Sequence, residues 1–245
     1  MSSTFSIVVP VYNEATFLPK ALNSMIEQMD GLAETYRILI VENGSTDDTA
    51  EVARRAGEGH PVSVLSLAQP DYGGAMRHGF LQADGNWVVN FDIDYFSADF
   101  LRQVLSLDDA DLVIASKRDP GSEDRRPMIR RLATCVFNLL LRTILVSGVS
   151  DTHGMKAFRR QLVSEITPAV VSRKDLFDTE LVIRAERAGY RIREVPVVVE
   201  EMRVARSSLV KRVPRTILGL FRIRRALKGE SLRRPGSQAP DGDGD

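Results

Sequence analysis

A single cysteine, Cys135, among 245 residues has no partner for an intrachain disulfide, and the chain lacks the thiolates of a cysteine-rich zinc site. Neither sign of charge is in excess, since Lys+Arg and Asp+Glu both total 33. That balance argues against a nucleic-acid partner and against an acidic tail protein. Long apolar runs are missing too. The longest apolar stretch, 132–149, is broken by Asn138 and Arg142 and falls short of the ~20 residues a membrane-spanning helix needs. No basic segment followed by an apolar run stands at the N-terminus, so a cytoplasmic protein without a signal peptide is expected. Neither G-x-G-x-x-G nor G-x-x-x-x-G-K-[ST] occurs, which excludes the usual dinucleotide and P-loop fingerprints.

What is present centres on Asn86–Asp94 (NWVVNFDID). Trp87, Val88, Val89 and Phe91 form a short β-rich apolar run, the mark of a strand buried in a parallel sheet. Asp92 and Asp94 follow at its C-terminal end, where open α/β sheets place ligands. Two carboxylates one residue apart suit a single hard cation, Mg²⁺ or Mn²⁺, whose remaining ligands are waters and substrate phosphates. The plainer reading is a common surface triplet.

The rest of the chain supplies context. Phe5–Val11 reads as a strand, and Phe17, Leu18, Ala21, Leu22, Met25, Ile26 and Met29 recur at helical spacing. A strand over 36–41 leads into Glu42-Asn43-Gly44-Ser45, where Ser45 and Asp48 have capping-box spacing for a helix over 47–56. Further strands are expected at 62–67 and 111–116, and helices follow Asp71-Tyr-Gly-Gly and span 98–106. This alternation predicts an α/β fold with a mostly parallel, Rossmann-like sheet flanked by helices. Residues 118–127 read as loop, 128–147 as one long helix and 151–158 as a loop entering a strand. Another helix follows Asp178. Pro196 places the strand over 192–199 at an edge, and Pro214 suits the first position of a helix ending near 228.

Three motifs now stand in order: VVPVYNE (8–14), VENGSTDDT (41–49) and FDID (91–94). Together they resemble a family 2 glycosyltransferase of the GT-A fold. Asp151–Phe158 (DTHGMKAF), Phe177–Leu181 (FDTEL), Gly189–Pro196 and Arg203 with Ser207-Ser208 resemble its dolichyl-phosphate mannosyltransferase branch. The likeness covers about residues 5–212. It implies a catalytic domain over 1–212 that inverts configuration while moving a mannose- or glucose-type sugar from a GDP- or UDP-sugar to a polyprenyl phosphate.

Position by position, the resemblance gives Pro10, Tyr12, Glu14, Glu42, Asn43, Asp92 and Arg203 to the nucleotide sugar, and Asp92 and Asp94 to the metal. Arg118, Arg130, Thr134 and Ser208 fall to the acceptor phosphate, the Arg130/Thr134 pair matching the family's Arg-x-x-x-Ser spacing. Asp94, Asp178 and Glu180 are the catalytic candidates, Asp178 and Glu180 as a base or to orient the sugar, with Glu180 the expected base for an oxygen-linked acceptor. Three departures stand out. Glu42-Asn43 replaces an acidic pair, and Tyr95-Phe96 replaces Leu-Gln, whose Gln helps to bind metal. One residue is also absent before Gly154, which puts His153 where Thr or Gln is usual.

The chemistry asks for such groups. The leaving diphosphate gains negative charge that a cation and nearby Arg203, Lys117 or Arg118 would offset. A phosphate monoester is largely ionised near neutral pH, its second pKa being ~6, so it needs positioning more than a general base. Bland readings compete at each point. Asp178 suits an N-cap and Glu180 a first-turn acid, His153 suits a turn, and Arg125–Arg131 suits a solvated basic loop.

Residues 203–234 carry eleven Lys/Arg against one acid, Glu230. Val210, Val213, Ile217, Leu220 and Phe221 share one face of the expected C-terminal helix (213–230). Lys211, Arg212, Arg215, Arg222 and Arg225 lie largely off it. A surface-lying membrane anchor is one reading, which would place the protein peripherally on the inner face of the membrane; a helix packed on the domain is the other. A homo-oligomer or a membrane partner protein is compatible with either. The tail 231–245 reads as disordered. A soluble or protein acceptor, or nucleotide-sugar binding without catalysis, are the rival functions.

Overall fold

The computed structural model describes residues 4–152, 154–173, 176–199 and 209–228. In chain order the elements are β1 (Phe5–Val11), α1 (Leu18–Asp30), β2 (Tyr36–Glu42), α2 (Thr49–Ala56), β3 (Val62–Ser66), α3 (Tyr72–Gln82) and β4 (Trp87–Asn90). After them come α4 (Ala98–Leu105), β5 (Leu112–Ala115), β6 (Glu123–Asp124), α5 (Met128–Leu140) and β7 (Lys156–Arg159). The remaining elements are α6 (Arg160–Ile166), α7 (Phe177–Arg187), β8 (Ile192–Val195), β9 (Val198–Val199) and α8 (Leu209–Lys228).

Seven strands form one sheet in the order β3-β2-β1-β4-β7-β5-β8. All neighbours pair in parallel except β7, which runs antiparallel to both β4 and β5. The period of two in β1 divides its side chains between the faces. Ile7 and Val9 join Leu22, Met25, Val89 and Phe100 on the α1/α4 side. Val8 joins Phe80, Phe158, Leu162 and Leu181 on the other. There Phe80 packs against Phe158 and Phe177, with ring centroids 5.4 and 6.0 Å apart. Each such phenyl, fully buried, contributes about 1.5–3 kcal/mol. The apolar spacing read for α1 is its buried face, Leu18, Ala21, Leu22, Met25, Ile26 and Met29.

The expected parallel α/β sheet is present, with β8 at its edge. Several local expectations are corrected. Ser45 and Asp48 form no capping box: α2 begins at Thr49, and its N-cap Asp48 makes no side-chain cap bond. The Ser45 hydroxyl accepts from the Asn13 amide instead, at 3.0 Å. The 118–127 loop contains β6, which pairs with β9 in a small second sheet. The helix expected over 128–147 ends its regular part at Leu140 and continues as a π-helical turn over Leu141–Leu145. Val146 then closes it in the left-handed region at φ 56°. The helix after β7, α6, had no counterpart in the expected elements.

Pro214 does not start α8; it lies inside the helix, which begins five residues earlier. The inward face of α8 also differs from the expected one. Leu220, Ile223 and Leu227 are buried against Leu141, Ile144, Leu145, Leu176 and Ile183, while Phe221 and Leu218 are exposed. Gly219 allows this close approach, because a Cβ there would stand 2.3 Å from the Leu176 side chain. No described helix is long and apolar enough to cross a membrane.

Candidate active site

The carboxyl ends of β1, β2 and β4 converge on one rim. The β1–α1 and β2–α2 loops are tied to each other across it. Asn13, at φ 54°, accepts the Thr46 amide at 2.8 Å through its side-chain oxygen. The Glu14 amide donates to the Thr49 hydroxyl at 2.8 Å. Glu42 accepts the Ser45 amide through Oε1. The Asn43 side chain accepts the Asp71 amide at 2.7 Å, which draws in the loop before α3. Gly44 makes the turn possible at φ +67°, where a Cβ would meet the backbone of Gln69 at 2.5 Å. Pro10, Tyr12, Glu14, Glu42 and Asn43 therefore share one rim. Tyr12 is exposed there, whereas Glu14, Glu42 and Asn43 are buried.

Beyond β4 the chain folds back as a tight hairpin. The Tyr95 amide donates to the Asp92 carbonyl at 3.0 Å, and the Asp92 amide to the Tyr95 carbonyl at 3.2 Å. This fixes Asp92 and Asp94 just beyond the carboxyl end of β4. Asp92 is exposed to solvent along part of its surface, while neighbouring protein crowds its carboxyl. Desolvation there, then Asp178, then Asp94, push its pKa up to about 6, against the opposing pull of Lys156 and Lys117. A carboxyl pKa raised chiefly by desolvation, and then by neighbouring acids, means that its surroundings stabilise the ionised form poorly.

Below the hairpin lie two buried ion pairs. Lys156, fully buried, stands opposite Asn90 in the β4–β7 register. Its ammonium donates to the Gly154 carbonyl at 2.7 Å and to Asp178 Oδ2 at 3.3 Å. The same Asp178 oxygen accepts from Tyr72 and from Asn90 Nδ2, each at 3.3 Å. Lys117 pairs with Asp151 at 2.9 Å. Its ammonium is thus already committed to a partner, and burial lowers its pKa while Asp151 raises it. Tyr95 lies beside these charges, and burial raises its phenol, which stays protonated at neutral pH.

The other expected residues divide. Asp178 joins the acid cluster, from the first turn of α7 rather than as its N-cap. Glu180 does not reach the cleft as a base. Its fully buried carboxylate accepts the Val171 and Ser172 amides at 3.0 and 2.8 Å and pairs with Arg184 at 2.7 Å. Thr134 meets Arg126, at 3.3 Å, while its hydroxyl donates to the Arg130 carbonyl at 3.0 Å. Arg118 is exposed and donates to Cys135 at 2.9 Å. Arg203, Ser208 and His153 lie outside the described residues.

Lys156, Asn90 and Tyr72 carry no assigned role in the sequence reading. Lys156 had a visible signal: a lysine flanked by Met155, Ala157 and Phe158 in a strand must be paired if it is buried. Asn90 and Tyr72 had none, since nothing local announces that they converge on a residue 88 and 106 positions away.

The sheet order gives an α/β fold of the GT-A type, with this rim at the carboxyl ends of the parallel strands. The family model for glycosyl transferase family 2 matches residues 6–167, and the chain belongs to that family as a nucleotide-sugar-dependent glycosyltransferase. It is 32% identical over 194 residues to an uncharacterized glycosyltransferase of Mycobacterium tuberculosis, covering 78% of this chain and 83% of the relative. It is 27% identical over 212 residues to the dolichyl-phosphate beta-glucosyltransferase of Dictyostelium discoideum, covering 78% and 65%. A solved glucosyl-3-phosphoglycerate synthase from Mycobacterium tuberculosis, in complex with Mn²⁺, UDP-glucose and phosphoglyceric acid, superposes with a TM-score of 0.66 at 20% identity. That match covers 91% of this chain and 79% of the synthase.

Proposed function

We propose that this protein is an inverting, metal-dependent transferase that moves a sugar from a nucleotide diphosphate to a polyprenyl phosphate at a membrane surface. The observation that carries the reading is an exposed apolar stripe on α5. Met128, Ile129, Leu132, Val136 and Leu139 face solvent along α5, and Leu218 and Phe221 do so on α8. Arg125, Arg131, Arg142, Arg222 and Arg225 are exposed around them. Apolar side chains edged by arginine suit an anionic bilayer, into which they sink while the guanidinium groups meet headgroups. Arg126, two residues before α5, is among the charged neighbours of Tyr95, so a lipid held on this face brings its phosphate to the rim. The dolichyl-phosphate relative supports the same acceptor class.

The donor set fits a divalent cation. Asp92 and Asp94 offer hard oxygen ligands, and the raised pKa of Asp92 shows a carboxylate that a cation would hold ionised. No group of three or more His, Cys, Asp or Glu poised for a metal occurs among the described residues, so substrate phosphate and water would complete the shell. Bound there, Mg²⁺ or Mn²⁺ supplies charge neutralisation to the departing diphosphate. The chain's own residues do the rest. Pro10, Tyr12, Glu14, Glu42 and Asn43 frame the nucleoside. Asp178, one oxygen held by Tyr72, Asn90 and Lys156, faces the sugar with the other. The acceptor phosphate, already ionised, is positioned by the Arg126–Thr134 end of α5.

The test follows label from a panel of radiolabelled nucleotide sugars into the organic phase, with Mn²⁺ and polyprenyl phosphate. Asp94→Ala should abolish transfer while leaving the melting temperature within a degree or two. Near-full activity in that variant would remove the metal assignment. Metal-dependent donor hydrolysis without lipid-phase label would instead redirect the acceptor to a soluble molecule.

A further inference from the structure

We propose that the Tyr95 hydroxyl is a binding donor for an oxygen of the acceptor's phosphate monoester. This rests on the transferase reading above and deepens its acceptor side. The hydroxyl is sealed from solvent and has no hydrogen-bond partner among the described residues. A buried phenol without an acceptor is a standing cost to the fold, and native proteins keep few of them. Here the cost falls at the reacting centre. Tyr95 closes the hairpin that carries Asp92 and Asp94, and it lines a cavity of about 780 Å³ together with Asp94, Phe96 and Phe100.

Its charged neighbours are Asp151, Arg126, Asp92 and Asp124. Two of those acids are already neutralised: Asp151 by Lys117 at 2.9 Å and Asp124 by Arg126 at 2.7 Å. The phenol is therefore a neutral donor with the half-buried Arg126 among its charged neighbours, and its ring and the Lys117 ammonium both lie close to Gly154. The hydroxyl has no opening to solvent, so neighbouring side chains must shift for an anionic oxygen to reach it; that oxygen then accepts from the phenol and interacts favourably with Arg126, without needing the Arg126–Asp124 pair to break. Arg126 also reaches Thr134 at 3.3 Å, which ties this point to the start of α5, where a lipid acceptor would lie. A phenyl ring at this position would fill the same space and lack only the donor.

The experiment compares wild type with Tyr95→Phe in three titrations, against farnesyl phosphate, 3-phosphoglycerate and UDP with Mn²⁺, and in a thermal melt. The proposal expects a melting temperature raised by a few degrees, because an unsatisfied group is gone. It expects farnesyl phosphate affinity weakened about tenfold and UDP affinity unchanged. Equal farnesyl phosphate affinity in the two proteins would overturn it and leave the hydroxyl a packing detail. A selective loss of UDP affinity would also overturn it, by moving the hydroxyl to the donor. If wild type takes only 3-phosphoglycerate, and Tyr95→Phe weakens that, the phosphate assignment stands while the lipid acceptor falls.

Discussion

At the scale of single residues, Asp178 and Glu180 show how two acids two residues apart on one helix take different work. They share the first turn of α7, where either suits the helix dipole. Asp178 retains an oxygen without a partner among the described residues. Glu180 has spent its carboxylate on two backbone amides and Arg184. Glu180→Ala should therefore act on stability, costing about 3–5 kcal/mol by removing one partner of a buried ion pair; a urea titration would show this. Asp178 and Lys156 should behave as one unit. In a double-mutant cycle with Asp178→Asn and Lys156→Met, the double variant should be more stable than the sum of the single losses predicts, by about 1–3 kcal/mol. Additive losses would mean that the 3.3 Å contact carries no coupling. The sequence put Glu180 ahead of Asp178 as a base because spacing reports position on a helix and says nothing of what lies opposite.

Among the elements, α5 and α8 differ most from their sequence patterns. Helical periodicity located both, but could not say which apolar residues would find a partner. α8 turns Leu220, Ile223 and Leu227 inward and leaves Leu218 and Phe221 outside, whereas α5 keeps its whole stripe from Met128 to Leu139 exposed. Leu220→Ala should cost about 2–5 kcal/mol, the usual range for a buried leucine. Leu132→Asp should leave the melting temperature almost unmoved yet reduce sedimentation with phosphatidylglycerol vesicles several-fold. Unchanged sedimentation would remove α5 from the membrane contact. Val146 gives a third test. A β-branched residue at φ 56° is held in a region that costs about 1–2 kcal/mol. Val146→Asn should raise thermal stability, as a melt would report, while making this exposed tip more polar.

For the molecule as a whole, the parallel core was legible because continuous apolar runs such as Ile7–Val11 and Trp87–Val89 admit few arrangements other than strands buried on both faces. The acid pair was legible because it sits at the end of such a run. What escaped was everything set by β7. Its residues were read as a loop entering a strand, but neither period nor composition records that it runs antiparallel or slips between β4 and β5. That placement sets Lys156 across from Asn90 and so builds the floor of the cleft.

The late arrival of β7 also has a consequence for synthesis. As the chain emerges from the ribosome, β1 to β4 can assemble within the first ninety residues, but the strand that covers the free side of β4 begins only at Lys156. In between, β4 is an uncovered apolar edge able to pair with another nascent chain. Its lysine reaches the rim only with that strand, and Asp178 later still. Fragments halted before residue 156 should be insoluble as well as inactive, and polysomes carrying such fragments are where holdase chaperones should be found on this protein.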